Sequence, residues 1–539
     1  MRIGIYNRWL ATLGGGERVS LDFARALAQA GHSVEIITHQ PLDLAAVGRR
    51  LALDLHTIAL RDVPDSPANE RLTAISAEYD LLLNASHGDL FASHARTNLL
   101  YVYFPKPLIA YSAGGQPQFA RRSARLAPSI VRWIAGVYPP ETNGSLHWTW
   151  TGRRARLEVC RRWPLPARTL LITLADLRPP AVPPPAVRVL VDGVCIAERA
   201  DDWTEWRIPL PRPLRAGRVC VVELEVAPWT LRACGIAADD RERGLPLHSV
   251  ALLGGLEERL AGRIVAQPWR SLRPTSRSIT EVTRALDAYQ TIMTDSRFAQ
   301  HWITRRWQRP SEVLYPTVDL DALAALPKRP LIVSVGRFFA GAHNKKHLPM
   351  IQAFRALCDA GLTGWEYHLV GGCDLDRPEQ RAYLEQVQAA AVGYPIVLHV
   401  NAPLDELRRC YGEASIFWHA TGYGEDEQRD PDSFEHFGIT TIEAMAAGCV
   451  PVVIAKAGQL ETVVHDESGL LWHTLHELQA QTRRLIDDAA LRERLAAGAV
   501  ERSRVFGFEV FARRVREVVE QGNKETREQG NKGTRRART

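Results

Sequence analysis

The sequence predicts an α/β protein of two parallel-sheet domains facing a cleft, with an antiparallel β-sandwich inserted into the N-terminal one. Three observations carry that prediction. Residues 2–38 run strand, glycine loop, helix, strand, which is a βαβ opening. Over roughly the 115 residues after Tyr138, helical periodicity is scarce and short β-rich runs alternate with turn signals. From Leu331 strands and helices alternate again. A chain of 539 residues has room for three or four domains.

Taken in order, Arg2–Tyr6 is a strand, and Gly14-Gly15-Gly16 leads into a helix over about Glu17–Ala30. Val19, Phe23 and Leu27 recur every four residues on one helix face, and Gly31 closes it. Ser33–Thr38, Asp80–Asn84 and Asn98–Val102 continue the sheet. In the insertion the runs are Arg156–Val159, Leu170–Leu174, Val187–Ile196 and Val219–Val226, the third folded at Asp192-Gly193, a good two-residue hairpin turn. Trp148, Trp150, Trp163, Trp203, Trp206 and Trp229 suit a sandwich core or stacking on sugar rings; large aromatics dominate small sandwich cores, which favours packing. Helical pattern returns over Ile279–Trp307, a linker follows at Leu326–Pro330, and the second strand series is Leu331–Val335, Tyr367–Val370, Ile396–Val400, Ser415–His419 and Val450–Ile454. A last helix covers about Phe508–Val519. The expected domains are therefore 1–138 and 257–325 for the N-terminal domain, 139–256 for the sandwich, 326–505 for the C-terminal domain, 506–520 for the final helix and 521–539 for a disordered basic tail.

The net charge of +6 is concentrated: residues 521–539 hold six Lys/Arg and two Glu. The near-neutral body argues against a nucleic-acid footprint. Met1–Tyr6 begins a strand at once, unlike a signal peptide, and no long apolar run predicts a membrane span. The eight Cys have no C-x-x-C spacing, so reduced core thiols in a cytoplasmic protein are expected rather than a zinc site.

Two segments offer chemistry. Arg337 follows the strand at 331–335, with Lys345 eight residues on, and cations at a strand's C-terminal end suit a diphosphate. In Glu435-His436-Phe437-Gly438-Ile439-Thr440-Thr441-Ile442-Glu443, a helix beginning at Thr440 or Thr441 would aim its free N–H groups at an anion. Thr440 and Glu443 also have capping-box spacing, in which Glu443 only caps its own helix. Glu425-Asp426-Glu427-Gln428-Arg429-Asp430 reads as a solvated loop rather than a metal site.

Glu435 and Glu443 separated by seven residues, followed by Ala444-Met445-Ala446-Ala447-Gly448 and Val450-Pro451-Val452-Val453, resemble the signature of the retaining glycosyltransferases of family 4. The resemblance extends to Val335-Gly336-Arg337 with Lys345, Gly371-Gly372, the Glu461 segment, Thr294-Asp295-Ser296, Leu314-Tyr315-Pro316 and Gly14-Gly15-Gly16-Glu17. It covers residues 1–135 and 257–520, not the insertion. It implies a GT-B fold and transfer of a sugar from a nucleotide-sugar donor to a glycan or lipid-linked acceptor, in cell-surface polysaccharide or glycolipid synthesis. Arg337 and Lys345 would neutralise the leaving diphosphate, Glu435 would face the donor sugar and Glu443 the ribose. Gly438 and Ile439 would offer backbone N–H groups, and Gly15 and Gly16 would close on the diphosphate. No cofactor and no metal are implied for the chemistry, and a lipid-linked acceptor would bring peripheral contact at the inner face of the membrane.

One position departs from the family pattern. Where the family often has a His, this chain has Tyr103, which can donate a hydrogen bond to a sugar but, at a pKa of about 10, is a poor base. His87, in Ser86-His87-Gly88-Asp89, could supply an imidazole or be an ordinary loop residue. A dinucleotide oxidoreductase is disfavoured because Val19 stands where G-x-G-x-x-G needs its third glycine. No pyridoxal-lysine motif suggests a phosphorylase. The remaining alternative is an inactive GT-B scaffold that binds glycans.

Overall fold

In the computed structural model the described residues are all but 13, 41, 65–68, 109–128, 139–140, 143–146, 162–164, 180–181, 231–232, 235–241, 255–278, 342 and 537–539. The expected insertion boundaries at 139 and 256–257, and Trp163, fall outside them.

The chain opens with β1 (Arg2–Tyr6), α1 (Gly15–Gln29), β2 (Ser33–Thr38), α2 (Leu44–Leu51), β3 (Ala59–Asp62), α3 (Glu70–Ser76), β4 (Leu81–Asn84) and β5 (Thr97–Val102). The strands pair in parallel in the order β5-β4-β1-β2-β3. β4 and β5 are buried along their whole length, as strands of a covered parallel sheet are.

The all-β stretch comprises β6 (Ser129–Val137), β7 (Glu141–Thr142), β8 (His147–Arg161), β9 (Ala167–Leu174), β10 (Val187–Val191), β11 (Val194–Arg199), β12 (Glu205–Leu214), β13 (Val219–Val226) and β14 (Pro246–Leu253). Val191 pairs with Val194 across Asp192-Gly193, so the predicted hairpin forms there. The strands make one antiparallel path, β11-β10-β13-β8-β14-β9-β12, with β6 and β7 also on β8. β8 joins its two halves: Arg154–Cys160 pair with β13, and Thr149 and Trp150 with β14. Leu157, Leu170, Val189, Ile208, Leu224 and Val250 come from both halves into one apolar core. Of the tryptophans, Trp150 is buried edge-on to Trp229, and Trp203 and Trp206 pack on the core from its margin, which is the packing role favoured above. The all-β pairing begins at β6, ahead of the change in texture read at Tyr138.

Next come α4 (Ile279–Asp287), β15 (Thr291–Thr294), α5 (Arg297–Trp307), β16 (Glu312–Val313), β17 (Arg329–Val335), α6 (His347–Asp359), β18 (Glu366–Gly371), α7 (Pro378–Ala391), β19 (Ile396–Val400) and α8 (Leu404–Glu413). They are followed by β20 (Ala414–His419), α9 (Ile439–Ala446), β21 (Val450–Ile454), α10 (Gln459–Thr462), β22 (Leu470–Trp472), α11 (Leu475–Asp487), α12 (Ala489–Ser503) and α13 (Phe508–Arg536). β15 pairs in parallel with β16. β17 to β22 form a six-stranded parallel sheet, β19-β18-β17-β20-β21-β22, with apolar clusters on both faces.

Three expectations are corrected. The helix expected over 279–307 is split by β15, because Thr291-Ile292-Met293-Thr294 is a short buried run that periodicity alone cannot tell from helix. The last helix continues through residues 521–536, where a disordered tail was expected; Glu, Gln, Lys and Arg propagate an existing helix well even without apolar residues. The N-terminal domain does not stay together as one unit. One compact unit holds residues 1–12, 32–100 and 106–290; the other holds 13–31, 101–105 and 291–539. α1 goes with the second because it packs along α13, with Phe23 edge-on to Phe511 at 5.0 Å and Arg25 over the Phe508 ring at 4.2 Å. Among the described residues no helix is long and apolar enough to cross a membrane.

Candidate functional site

The second unit contains all the expected site residues except His87. β17 delivers Gly336 and Arg337 at its C-terminal end. A Cβ at Gly336 would run into the aliphatic stem of Lys345, so the glycine lets that side chain lie across the strand end. Arg337 is exposed, with its guanidinium 5.1 Å from the Phe339 ring centre.

Lys345 reaches Glu435, Nζ to Oε2 at 2.5 Å, with both side chains under a fifth exposed. His419, at the end of β20 and almost wholly buried, puts Nε2 3.0 Å from the same oxygen. Burial alone would raise the Glu435 carboxyl, but Lys345, with His419 and His343, holds it well below the usual carboxylate range. Burial lowers His419, against the pull of Glu435, so the imidazole is neutral. Its Nε2–H then donates to Glu435, and its Nδ1 accepts from Gln459 Nε2 at 3.3 Å. Gln459 Oε1 in turn accepts from the Thr441 hydroxyl at 3.0 Å. A chain of hydrogen bonds thus fixes an ionised carboxylate beside a helix N-terminus.

That helix, α9, starts at Ile439, one residue before the expected start. Gly438 is its N-cap with φ of 103°, and a Cβ there would sit 2.7 Å from Gln459 Nε2, so both the backbone and the space demand glycine. Glu443 does not cap the helix. Its Oε2 accepts the Tyr411 hydroxyl at 2.9 Å, and burial raises its pKa against the opposing effects of Tyr411, Arg18 and Arg408. The capping-box alternative is thereby removed. Gly15, the first residue of α1, lies against the Ile439 side chain, 3.2 Å from where its Cβ would be. Two helix N-termini therefore meet, and their unpaired N–H groups and dipoles favour an anion.

Tyr103 donates its hydroxyl to the Gly16 carbonyl at 2.5 Å, so its single proton is engaged within the glycine loop rather than offered to a sugar. His87 is exposed on a turn of the first unit, and its carbonyl accepts from Trp9 Nε1 at 3.3 Å. Glu425 of the acidic loop pairs with Lys346, while the following residues through Asp430 are largely exposed. Glu461 accepts from the backbone N–H groups of Arg297 and Phe298, and so caps α5.

Sequence reasoning assigned no role to His419, Gln459 or Asp295. Asp295 is buried, and burial first, with Glu461 and Glu435 nearby, raises its carboxyl well above the ordinary value. In the first unit it missed Asp89, which accepts from the Tyr6 hydroxyl at 2.6 Å, Arg8 Nε at 2.9 Å and Asn69 Nδ2 at 2.7 Å where β1 and β4 end. His419, Gln459 and Asp89 are single polar residues on separate elements with no local motif to announce them, whereas Asp295 lies in the Thr294-Asp295-Ser296 motif, to which no role was attached.

Residues 319–502 match the family model described as glycosyl transferases group 1. Over 98 residues the chain is 43% identical to a D-inositol 3-phosphate glycosyltransferase of Nocardioides sp., covering 18% of this chain and 21% of that protein. Over 191 residues it is 28% identical to the GDP-Man:Man(3)GlcNAc(2)-PP-Dol alpha-1,2-mannosyltransferase of Xenopus laevis, covering 33% and 36% respectively. The chain thus matches well under half the length of these relatives. A glycosyltransferase structure from Rickettsia africae ESF-5 superposes with a TM-score of 0.51 at 11% identity, over 97% of this chain and 98% of that one, which is a likeness of fold. The fold is GT-B: two Rossmann-like parallel-sheet domains, with an additional antiparallel sheet.

Proposed function

We propose that this chain is a retaining, metal-independent glycosyltransferase that moves a sugar from a nucleotide-sugar to a glycan or lipid-linked acceptor. The observation that carries the reading is the ionised Glu435, fixed by Lys345 and His419 beside the paired N-termini of α1 and α9. The matched family segment and the nucleotide-sugar in the mannosyltransferase's name support the donor class.

A donor diphosphate at the helix N-termini takes N–H groups from Gly438, Ile439, Gly15 and Gly16 and exchanges Lys345's carboxylate partner for phosphate oxygens. Arg337 adds a permanent charge for the leaving group. Glu443 accepts ribose hydroxyls, and Glu435 faces the sugar near its reacting carbon. The bond from that carbon to the phosphate oxygen breaks as the acceptor oxygen bonds on the same face, and the acceptor proton passes to the leaving phosphate. Fixed cations and N–H dipoles stabilise the negative charge that develops. With the leaving phosphate as base, neither Tyr103 nor His87 has to take the proton.

Calorimetric titration with UDP, GDP and ADP, and then with their sugars, tests the reading. One diphosphate binds to the wild type, and Arg337→Ala binds it at least ~30-fold more weakly, since truncating one partner of a charged pair costs about 2–5 kcal/mol. Transfer to an acceptor must then disappear in Glu435→Gln. A folded protein that binds none of the three overturns the proposal and favours the glycan-binding scaffold.

A further inference from the structure

At the edge of the six-stranded sheet, β18 and β19 run parallel, with His368 beside Val397 and Val370 beside His399. That register puts His368 and His399 on one face. On α8, Glu406 and Cys410 are four residues apart and so share a side of the helix. His399 Nε2 lies 3.0 Å from His368 Nδ1, and potential donor atoms of His368, His399 and Cys410 are all within 4.8 Å of one another. Cys410 and His368 are buried.

The outer nitrogens define the electronic problem. His399 Nδ1 is 2.5 Å from Glu406 Oε1 and carries the proton that this contact requires, which leaves a lone pair on Nε2. His368 Nε2 makes no hydrogen bond, and the Glu366 carboxylate stands 3.3 Å away. If His368 is protonated at Nε2, two lone pairs face each other at 3.0 Å. If it is protonated at Nδ1, a lone pair faces the Glu366 carboxylate. A cation between the two inner nitrogens removes the conflict. A carboxylate behind each imidazole is also the arrangement found around metal-bound histidines.

We propose that His368 Nδ1, His399 Nε2 and Cys410 Sγ bind a divalent transition-metal ion of the zinc class, with water as fourth ligand, clamping β18 and β19 to α8. Tetrahedral bonds of about 2.0–2.1 Å to nitrogen and 2.3 Å to sulfur place the donors about 3.3–3.7 Å apart, so binding opens the 3.0 Å separation of the two nitrogens slightly and draws the donors within their 4.8 Å span. On binding, the metal displaces the Cys410 thiol proton: M²⁺ and Cys–SH give the thiolate complex and H⁺. Binding therefore strengthens as pH rises. The site is structural and takes no part in the transfer proposed above.

The test uses the full chain, stripped with chelator, kept reduced and titrated with Co²⁺. One equivalent binds, giving a tetrahedral visible spectrum and a thiolate-to-cobalt charge-transfer band in the near ultraviolet, and Zn²⁺ displaces it. Cys410→Ser abolishes the charge-transfer band, whereas Cys358→Ser keeps it. Glu406→Gln, which preserves the volume of the side chain, weakens binding about 10–100-fold. His399→Gln is checked by circular dichroism so that loss of fold is not read as loss of a ligand. Failure of the folded wild type to bind Co²⁺, or a charge-transfer band that survives in Cys410→Ser, overturns the proposal; the first result would assign the pair to a shared proton.

Discussion

In the insertion, Arg188 on β10 pairs with Glu198 and Glu225 on the neighbouring strands, with the arginine and Glu198 more than half exposed. In the C-terminal sheet, Lys345, Glu435 and His419 are drawn into a cluster in which no side chain is more than 19% exposed. The first arrangement decorates a sheet whose stability comes from the apolar layer of Leu157, Val189 and Leu224. The second takes charge out of water beyond the ends of β17 and β20, which is costly unless every group is paired. Charge kept at the surface is compatible with any sandwich. Charge buried at strand ends serves no apolar core, and the proposed function uses it to hold an anionic ligand in the second unit.

The largest effect expected from this contrast is that of Lys345→Ala. Removing the ammonium leaves Glu435 buried beside a neutral imidazole and costs about 3 kcal/mol of stability, read from urea unfolding. Arg188→Ala, by contrast, leaves the unfolding midpoint where it was. Equal losses in the two variants would erase the distinction between the regions.

A smaller effect, with a sign set by pH, sharpens the contrast at Glu443. Its folded pKa lies above the unfolded value of about 4.3, so its contribution to stability is fully present below that pH and is lost as pH rises through the folded value. Glu443→Gln, which still accepts the Tyr411 hydroxyl, therefore gains stability relative to wild type at pH 7, and the gain vanishes below about pH 4. A difference independent of pH would mean that the carboxylate is not penalised by burial. The smallest effect belongs to Tyr103→Phe, which removes one hydrogen bond to the Gly16 carbonyl and keeps the ring against Tyr101. It costs about 1 kcal/mol and weakens the nucleotide several-fold, measured by unfolding and calorimetry together.

Much of this was legible in the sequence, for identifiable reasons. Val450–Ile454 was read to the residue because a strand covered on both faces is a short apolar run between turn signals, and the half-exposed edge strand Ile396–Val400 because its β-branched run is bounded by turn residues. β15 was missed because four residues between two helices carry no period of their own. Glu435, Lys345 and Gly438 were legible because they sit in local motifs, and the structure brings all three around Gln459 and His419. His419 and the pair His368 and His399 were not, because only the sheet register places them beside their partners.

The packing of α1 on α13 also bears on how the molecule is made. The glycine loop at the head of α1 precedes Phe508 and Phe511, which hold that helix, by almost the whole of the sequence. At roughly 5–20 residues per second the loop waits tens of seconds for its support. The proposed nucleotide site should therefore mature only once α13 has been made, and a nascent chain stalled before α13 should carry a folded insertion but bind no nucleotide.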